Sequence, residues 1–179
     1  RHGGIARRLV ARASAGVGWM RGGLGMVDVS TSMLFGGISG SAVADTSATG
    51  VILIPAMKAK GYGVDYAVSL TVTSSIAGIL IPPSHNMILY SLAAGGGISV
   101  TALFIAGIVP GLLLTAALMA AVWVVSRRRK YPVERRASLV ELGSAFRGAA
   151  LPMMAPVIII GGLISGLFTP TEGGVVAVI

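Results

Sequence analysis

Long apolar stretches, interrupted by short charged or small-residue segments, set the pattern of this chain. No Asp, Glu, Lys or Arg occurs from Tyr66 to Ser126, and a helix needs only about 20 mostly apolar residues to cross the hydrocarbon core of a bilayer. Residues 61–126 therefore hold enough chain for two crossings, with the turn between them at "AAGGGIS" (93–99). The first crossing is faulted. Pro82 and Pro83 remove two backbone donors and push the residue before them out of helical geometry, and Gly78 loosens the same region. The pattern predicts a broken helix, roughly 64–79 and 84–94, unwound around Ile81–Ser84. The second crossing, 101–126, is apolar throughout. It is expected to tilt or kink at Pro110 and to seat Trp123 at the interface.

Residues 22–57 are harder to place, and charge decides them. The basic residues fall into three groups: Arg1 to Arg21, then Lys58 and Lys60, then Arg127–Lys130 with Arg135, Arg136 and Arg147. If all three lie on the cytoplasmic side, then 22–57 must leave and return on one side. Two full spans need about 40 residues plus a turn, and the segment is shorter. What remains is a re-entrant hairpin of two half-helices, roughly 22–38 and 46–57, meeting near mid-membrane. Its tip is "GGISGSAVADTSATG" (36–50). Irregular backbone at that depth must be buried in protein or line a wet cavity.

The chain thus divides into a cytoplasmic-side basic segment (1–21), a re-entrant hairpin (22–57) and a broken helix with the transmembrane helix after it (61–126). A basic connector (127–150) and a last apolar segment (151–179) follow. In the connector, Ser138 and Glu141 have capping-box spacing and open an amphipathic surface helix over 138–146. A further span is expected at 151–168, and "TPTEGG" (169–174) turns the chain into another apolar run. The chain begins without a methionine and stops inside that run, so it reads as part of something longer.

Composition narrows the class. Of 179 residues, 54% are hydrophobic and 11% charged, against about a quarter charged in soluble domains. The fold class is an all-α polytopic membrane protein. The absence of cysteine excludes disulfides and thiolate metal sites. A formal charge of +8 in such a chain marks topology and meets anionic lipid, so the expected surroundings are a bilayer and not nucleic acid.

The hairpin tip and the broken helix place two discontinuities at similar depth, as secondary transporters do. In those proteins unwound carbonyls and hydroxyls hold Na+ while half-helix N-termini face anions. Ser39, Ser41, Asp45 and backbone carbonyls offer the several oxygens that a hard cation requires. Plainer roles stand beside these. Ser39–Gly40–Ser41 could be a turn that allows close packing, Asp45 could cap the second half-helix, and Ser84 and Asn86 could be interhelical hydrogen bonders. Asp28, about two turns into the first half-helix, is expected to face the interface. Glu172 is expected to favour a helix dipole. His85 is the one ionisable group in the long uncharged run, where such residues are functional candidates. A rival class is an intramembrane serine protease: "GISG" (37–40) fits a G-x-S-G string and His85 lies downstream. In that reading Asp45 has no role and His85 stands in an unwound stretch.

Four strings carry a family resemblance: "MLFGGISGSAVADTSATGVILIPAMKAKGY" (33–62), "IPPSHNMILYS" (81–91), "LFIAGIVPGLLL" (103–114) and "GLFTPTEGG" (166–174). In their order and spacing the chain resembles the large membrane subunit of tripartite ATP-independent periplasmic (TRAP) transporters, dicarboxylate-permease type. The resemblance implies a multi-pass protein of the bacterial inner membrane that imports organic acid anions such as C4-dicarboxylates, driven by a Na+ gradient and not by ATP. It implies no enzyme activity and no cofactor beyond Na+ as coupling ion. The implied partners are a small TRAP membrane subunit and a periplasmic solute-binding protein. The implied fold is an inverted-repeat elevator, of which this chain holds most of the first repeat and the start of the second. By position, Ser39, Gly40 and Ser41 form the first hairpin tip. With Asp45, Gly78 and Pro82–Ser84 they would build the first Na+ site (Ser39, Ser41, Asp45, Gly78) and one wall of a carboxylate site (Ser39, Gly40, Ser41, Pro83, Ser84, Asn86). Two departures from the family pattern are the hydroxyls of Thr46, Ser47 and Thr49 and the His85–Asn86 pair.

Overall fold

The computed structural model describes residues 4–95, 97–133 and scattered positions between 154 and 167. The surface helix expected at 138–146, the turn at 169–174 and Glu172 lie outside the described residues. Of the span expected at 151–168 only single positions are described. The described chain is helical: α1 (Gly4–Val17), α2 (Gly23–Ser39), α3 (Ala42–Ala59), α4 (Val64–Leu80), α5 (His85–Ala93) and α6 (Val100–Arg129). Its one extended pairing among the described residues is an isolated bridge between Arg21 and Val133.

α2 and α3 fold back on each other across Gly40–Ser41, and both pack against α4. α4 and α5 are bent by 53° at the Ile81–Ser84 break, so the bounds of the broken helix agree with the proline pattern. α6 runs through Pro110 without interruption for 30 residues. It is long and apolar enough to cross a membrane, with mean hydropathy 2.3 and only 17% of its most apolar window buried. The bent α4–α5 pair passes the same test as one broken span. Ile105, Val109, Leu112 and Leu113 on α6 and Val64, Val68, Val72 and Ile76 on α4 are exposed. Apolar surface on that scale is costly in water and natural against hydrocarbon.

The basic segment 1–21 contains α1, which packs on α2. Ala6, Leu9 and Ala13 are buried, at the three- and four-residue spacing of a helix with one packed face. Ala6 and Arg7 border a groove of about 360 Å³ whose other wall is α3, at Ala44, Ser47, Ala48, Val51 and Ile52.

All three basic groups have members at one end of the bundle. The Arg21–Val133 bridge joins the start of the hairpin to the end of α6. Tyr62 and Tyr131 stack with ring centroids 4.0 Å apart, and Tyr66 lies 5.6 Å from Tyr131. The Gly63 N–H reaches the Tyr131 hydroxyl at 3.5 Å, and the Arg129 guanidinium lies over Tyr66 at 5.8 Å. Met26, Val27, Val29, Leu53, Met57, Leu70 and Val122 form the buried cluster near this base. Replacing Tyr131 with Ala should therefore lower the melting temperature of the purified protein, by about 1–2 kcal/mol of stability from the missing ring pairs. An unchanged melting temperature would show that the base is held by other interactions.

Candidate functional site

The site begins with a chain reversal that only glycine makes easily. Gly40 has φ 60° and ψ 12°, and its N–H closes α2 on the Gly36 carbonyl at 2.8 Å. Left-handed backbone of this kind ends many helices. Ser41 is extended, and its hydroxyl accepts from the Ala44 N–H at 3.4 Å, so Ser41 is the N-cap of α3. This corrects the expected start near residue 46 and the capping role considered for Asp45. A serine cap four residues earlier lets the helix begin sooner, and Asp45 falls inside the first turn with its N–H on Ser41 O at 3.0 Å. Ser39 bonds locally: its hydroxyl accepts from the Ser41 N–H and donates to Ser41 O, both at 3.4 Å.

The tip meets the break in the α4–α5 helix. The His85 N–H donates to the Gly40 carbonyl at 3.4 Å, and a Cβ at Gly40 would press on Pro83 O and His85 Nδ1. α5 starts at His85 with Ser84 at its N-cap position, yet the Ser84 hydroxyl caps nothing and is buried without a partner. The side chains of His85 and Asn86 are exposed. One turn before the break the α4 carbonyls lose their partners. Gly78 and Ile79 would bond to the N–H groups of residues 82 and 83, and both are proline, which has no N–H to give. Gly78 itself keeps helical backbone, since α4 continues to Leu80; the loosening expected there is confined to Ile81–Ser84. Its lack of a side chain serves packing, because Gly36 of α2 lies directly against it.

The structure thus gathers Gly40, Pro83, Ser84 and His85, with Ser39 and Ser41 flanking them. Gly78 and Asp45 lie further along the α2–α3–α4 interface. Asp45 is fully buried; the Ser32 and Thr49 side chains stand near its carboxylate, but among the described residues none meets hydrogen-bond geometry with it. Thr49 donates its own proton to the Asp45 backbone carbonyl at 2.8 Å.

A second buried polar group goes beyond the sequence expectations. Asp28 is 0% exposed, which corrects its expected interfacial position. Its Oδ2 accepts from Thr71 at 3.0 Å and lies 3.4 Å from the Ser74 hydroxyl. Ser32 reaches Ser74 at 3.4 Å. The available signal was spacing. Asp28, Thr31 and Ser32 share one face of α2 at i, i+3 and i+4, and Thr71 and Ser74 share one face of α4.

The protease alternative fails on partners. The Ser39 hydroxyl is engaged with the backbone of Ser41, and among the described residues neither Ser39 nor Asp45 hydrogen-bonds to the His85 side chain.

All 179 residues match the family described as the tripartite ATP-independent periplasmic transporter, DctM component. The chain is 45% identical over 177 residues to the C4-dicarboxylate TRAP transporter large permease protein DctM of Pseudomonas aeruginosa, covering 99% of this chain and 41% of that protein. It is 42% identical over 175 residues to the sialic acid TRAP transporter permease protein SiaT of Haemophilus influenzae (98% and 28%). It is 41% identical over 175 residues to the 2,3-diketo-L-gulonate TRAP transporter large permease protein YiaN of Escherichia coli (98% and 41%). The chain spans less than half the length of these relatives. With its helical hairpin, its broken helix and its apolar α6, it belongs to the DctM family of TRAP transporter large permeases.

Proposed function

We propose that this chain supplies the first hairpin and broken helix of a secondary importer that couples Na+ entry to uptake of an organic acid anion across the bacterial inner membrane. The contact between the hairpin tip and the helix break, at Gly40, Pro83 and His85, carries the reading. It puts hydroxyls, freed carbonyls and a helix N-terminus in one neighbourhood, the combination that serves a cation and a carboxylate together. Helix lengths support a re-entrant tip. The 17 residues of α2 rise about 25 Å, against about 45 Å for the 30 residues of α6. The break packs against α6 at Gly107 and Gly111, so α6 continues beyond the level of the tip. The convergence of the basic groups at the opposite end fits a cytoplasmic base.

In this reading Ser39, Ser41, Asp45 and the Gly78 carbonyl freed by Pro82 supply oxygens to Na+. Backbone N–H groups at Ser84–Asn86 and the tip residues Ser39, Gly40 and Ser41 face the substrate carboxylate, with Pro83 shaping that wall. The buried Asp45 carboxylate needs a positive partner, because an unpaired buried charge is expensive. Na+ at the tip orders the hairpin against the break, and that coupling raises affinity for the anion. The substrates for which the relatives are named, C4-dicarboxylate, sialic acid and 2,3-diketo-L-gulonate, are all carboxylates. The partners are a small membrane subunit and a periplasmic binding protein, and the hairpin-bearing domain moves as an elevator. The full-length permease, reconstituted in proteoliposomes with both partners, tests this. Ser41→Ala and Asp45→Asn should each raise the half-saturating Na+ concentration for uptake roughly tenfold or more. If both keep the wild-type Na+ curve, the tip is not the ion site. Uptake that runs on ATP without an ion gradient would remove the transport class.

A further inference from the structure

We propose that Asp28, Thr31, Ser32, Thr71 and Ser74 form a separate Na+ site between α2 and α4, bordered by Asp45 and distinct from the hairpin tip. The site stands on oxygens that lack partners. Among the described residues Asp28 Oδ1 and Thr31 Oγ1 are buried without a hydrogen bond, and Asp28 and Thr31 are each 0% exposed. Thr31 and Ser32 stand one turn along the same face of α2 as Asp28, so two hydroxyls accompany that carboxylate.

The hydroxyl protons are largely committed elsewhere. Ser74 donates best to Leu70 O at 2.7 Å, which leaves its lone pairs toward Asp28 Oδ2 at 3.4 Å. Thr71 divides its one proton between Ala67 O and Asp28 Oδ2, both at 3.0 Å. Oxygens therefore face one another with too few protons between them.

The charged and titratable neighbours do not resolve this. Asp45 of α3 acts on Asp28 and adds negative charge. Tyr66 of α4 is also within reach of Asp28, and among the described residues no lysine or arginine offsets either carboxylate. A single proton would satisfy one O–H···O contact. A monovalent cation takes several oxygen ligands at once and offsets the charge of Asp28, so Na+ answers the whole set.

The test uses the purified full-length permease with its small subunit. Thermal stability is followed while Na+ replaces choline at constant ionic strength, and K+ serves as the control. Asp28→Asn keeps the shape and should shift the Na+ midpoint up by about tenfold or more. Thr31→Val gives a reading that folding defects cannot mimic. Removing an unpartnered buried hydroxyl should leave stability in choline unchanged or raised, while the missing ligand should shrink the Na+-dependent gain. Ser41→Ala, measured in parallel, separates this site from the tip. Additive midpoint shifts in Ser41→Ala/Asp28→Asn mark two independent sites. If Asp28→Asn and Thr31→Val both follow the wild-type Na+ curve, the site does not exist, whatever Ser41→Ala does. A Na+ response intact in both variants, with a pH dependence abolished in Asp28→Asn, would make it a proton site and overturn the assignment.

Discussion

Gly36→Val should abolish the recovery of monodisperse, folded permease, and Gly36→Ala should leave a protein with a clearly lowered melting temperature. A Cβ built at Gly36 falls onto the Cα, carbonyl carbon and carbonyl oxygen of Gly78. These are backbone atoms, so no rotamer change can relieve the clash and the two helices must separate. Overpacking of this kind costs about 1–3 kcal/mol for the smallest additions, and valine adds two further methyl groups. The loss is aggravated by the setting. Helices within a bilayer gain little from burying apolar surface against each other, since lipid is as apolar as they are, and close van der Waals contact between small residues has to hold them. Gly78→Ala should be milder, because its Cβ would stand 2.9 Å from Gly36 Cα and 3.0 Å from Ser32 O. Size-exclusion profiles and thermal denaturation in detergent check all three variants. A wild-type melting temperature for Gly36→Ala would show that α2 and α4 have room to part at this level.

The order of helices from α2 to α6 and the position of the break were legible because they depend on local chemistry, whereas α1 within the basic segment was not. Two consecutive prolines end α4 wherever it packs, and a hydroxyl–glycine–hydroxyl run between apolar stretches marks a reversal. The exact start of α3 was not, because Ser41 and Asp45 are both good capping residues and only the geometry of Gly40 selects the first. Asp28 illustrates the deeper obstacle. Read along the chain it is a carboxylate near the beginning of a helix, with the basic segment close by. Its burial follows from α4 lying across α2, and from Thr71 and Ser74 arriving 43 and 46 positions later. Gly78 misleads in the same way. A glycine near two prolines suggests loose backbone, whereas the structure uses it for the contact with Gly36. That use is visible only when both helices are in place. The Na+ candidates divide in the same way: Ser39, Gly40 and Ser41 stand together because they are neighbours in sequence, while the placement of Asp45 against Ser32 depends on the tertiary packing of α2 and α3.

Gly40→Asn is the substitution that separates the shape of the tip from its fit against the helix break. Asparagine tolerates left-handed backbone better than other residues with a side chain, so the reversal at φ 60° is largely preserved and the permease should still fold. What asparagine cannot preserve is the space: any Cβ at this position meets Pro83 O and approaches His85 Nδ1 to 3.2 Å and His85 N to 3.3 Å. The hydrogen bond from the His85 N–H to the Gly40 carbonyl, 3.4 Å long, would be the first to break. If tip and break together build the ion and anion sites, moving them apart weakens both, and misplacement by an ångström at a preorganised site is costly out of proportion to its size. Uptake in proteoliposomes should fall by about a hundredfold or more, while the melting temperature in Na+-free buffer drops by only a few degrees. Gly40→Ala should reduce uptake as much and stability more, because alanine lacks the tolerance for left-handed backbone. Near-normal uptake by a folded Gly40→Asn permease would mean that the tip and break do not act as one site. The proposed linkage between Na+ and the carboxylate would then have to run through another part of the protein.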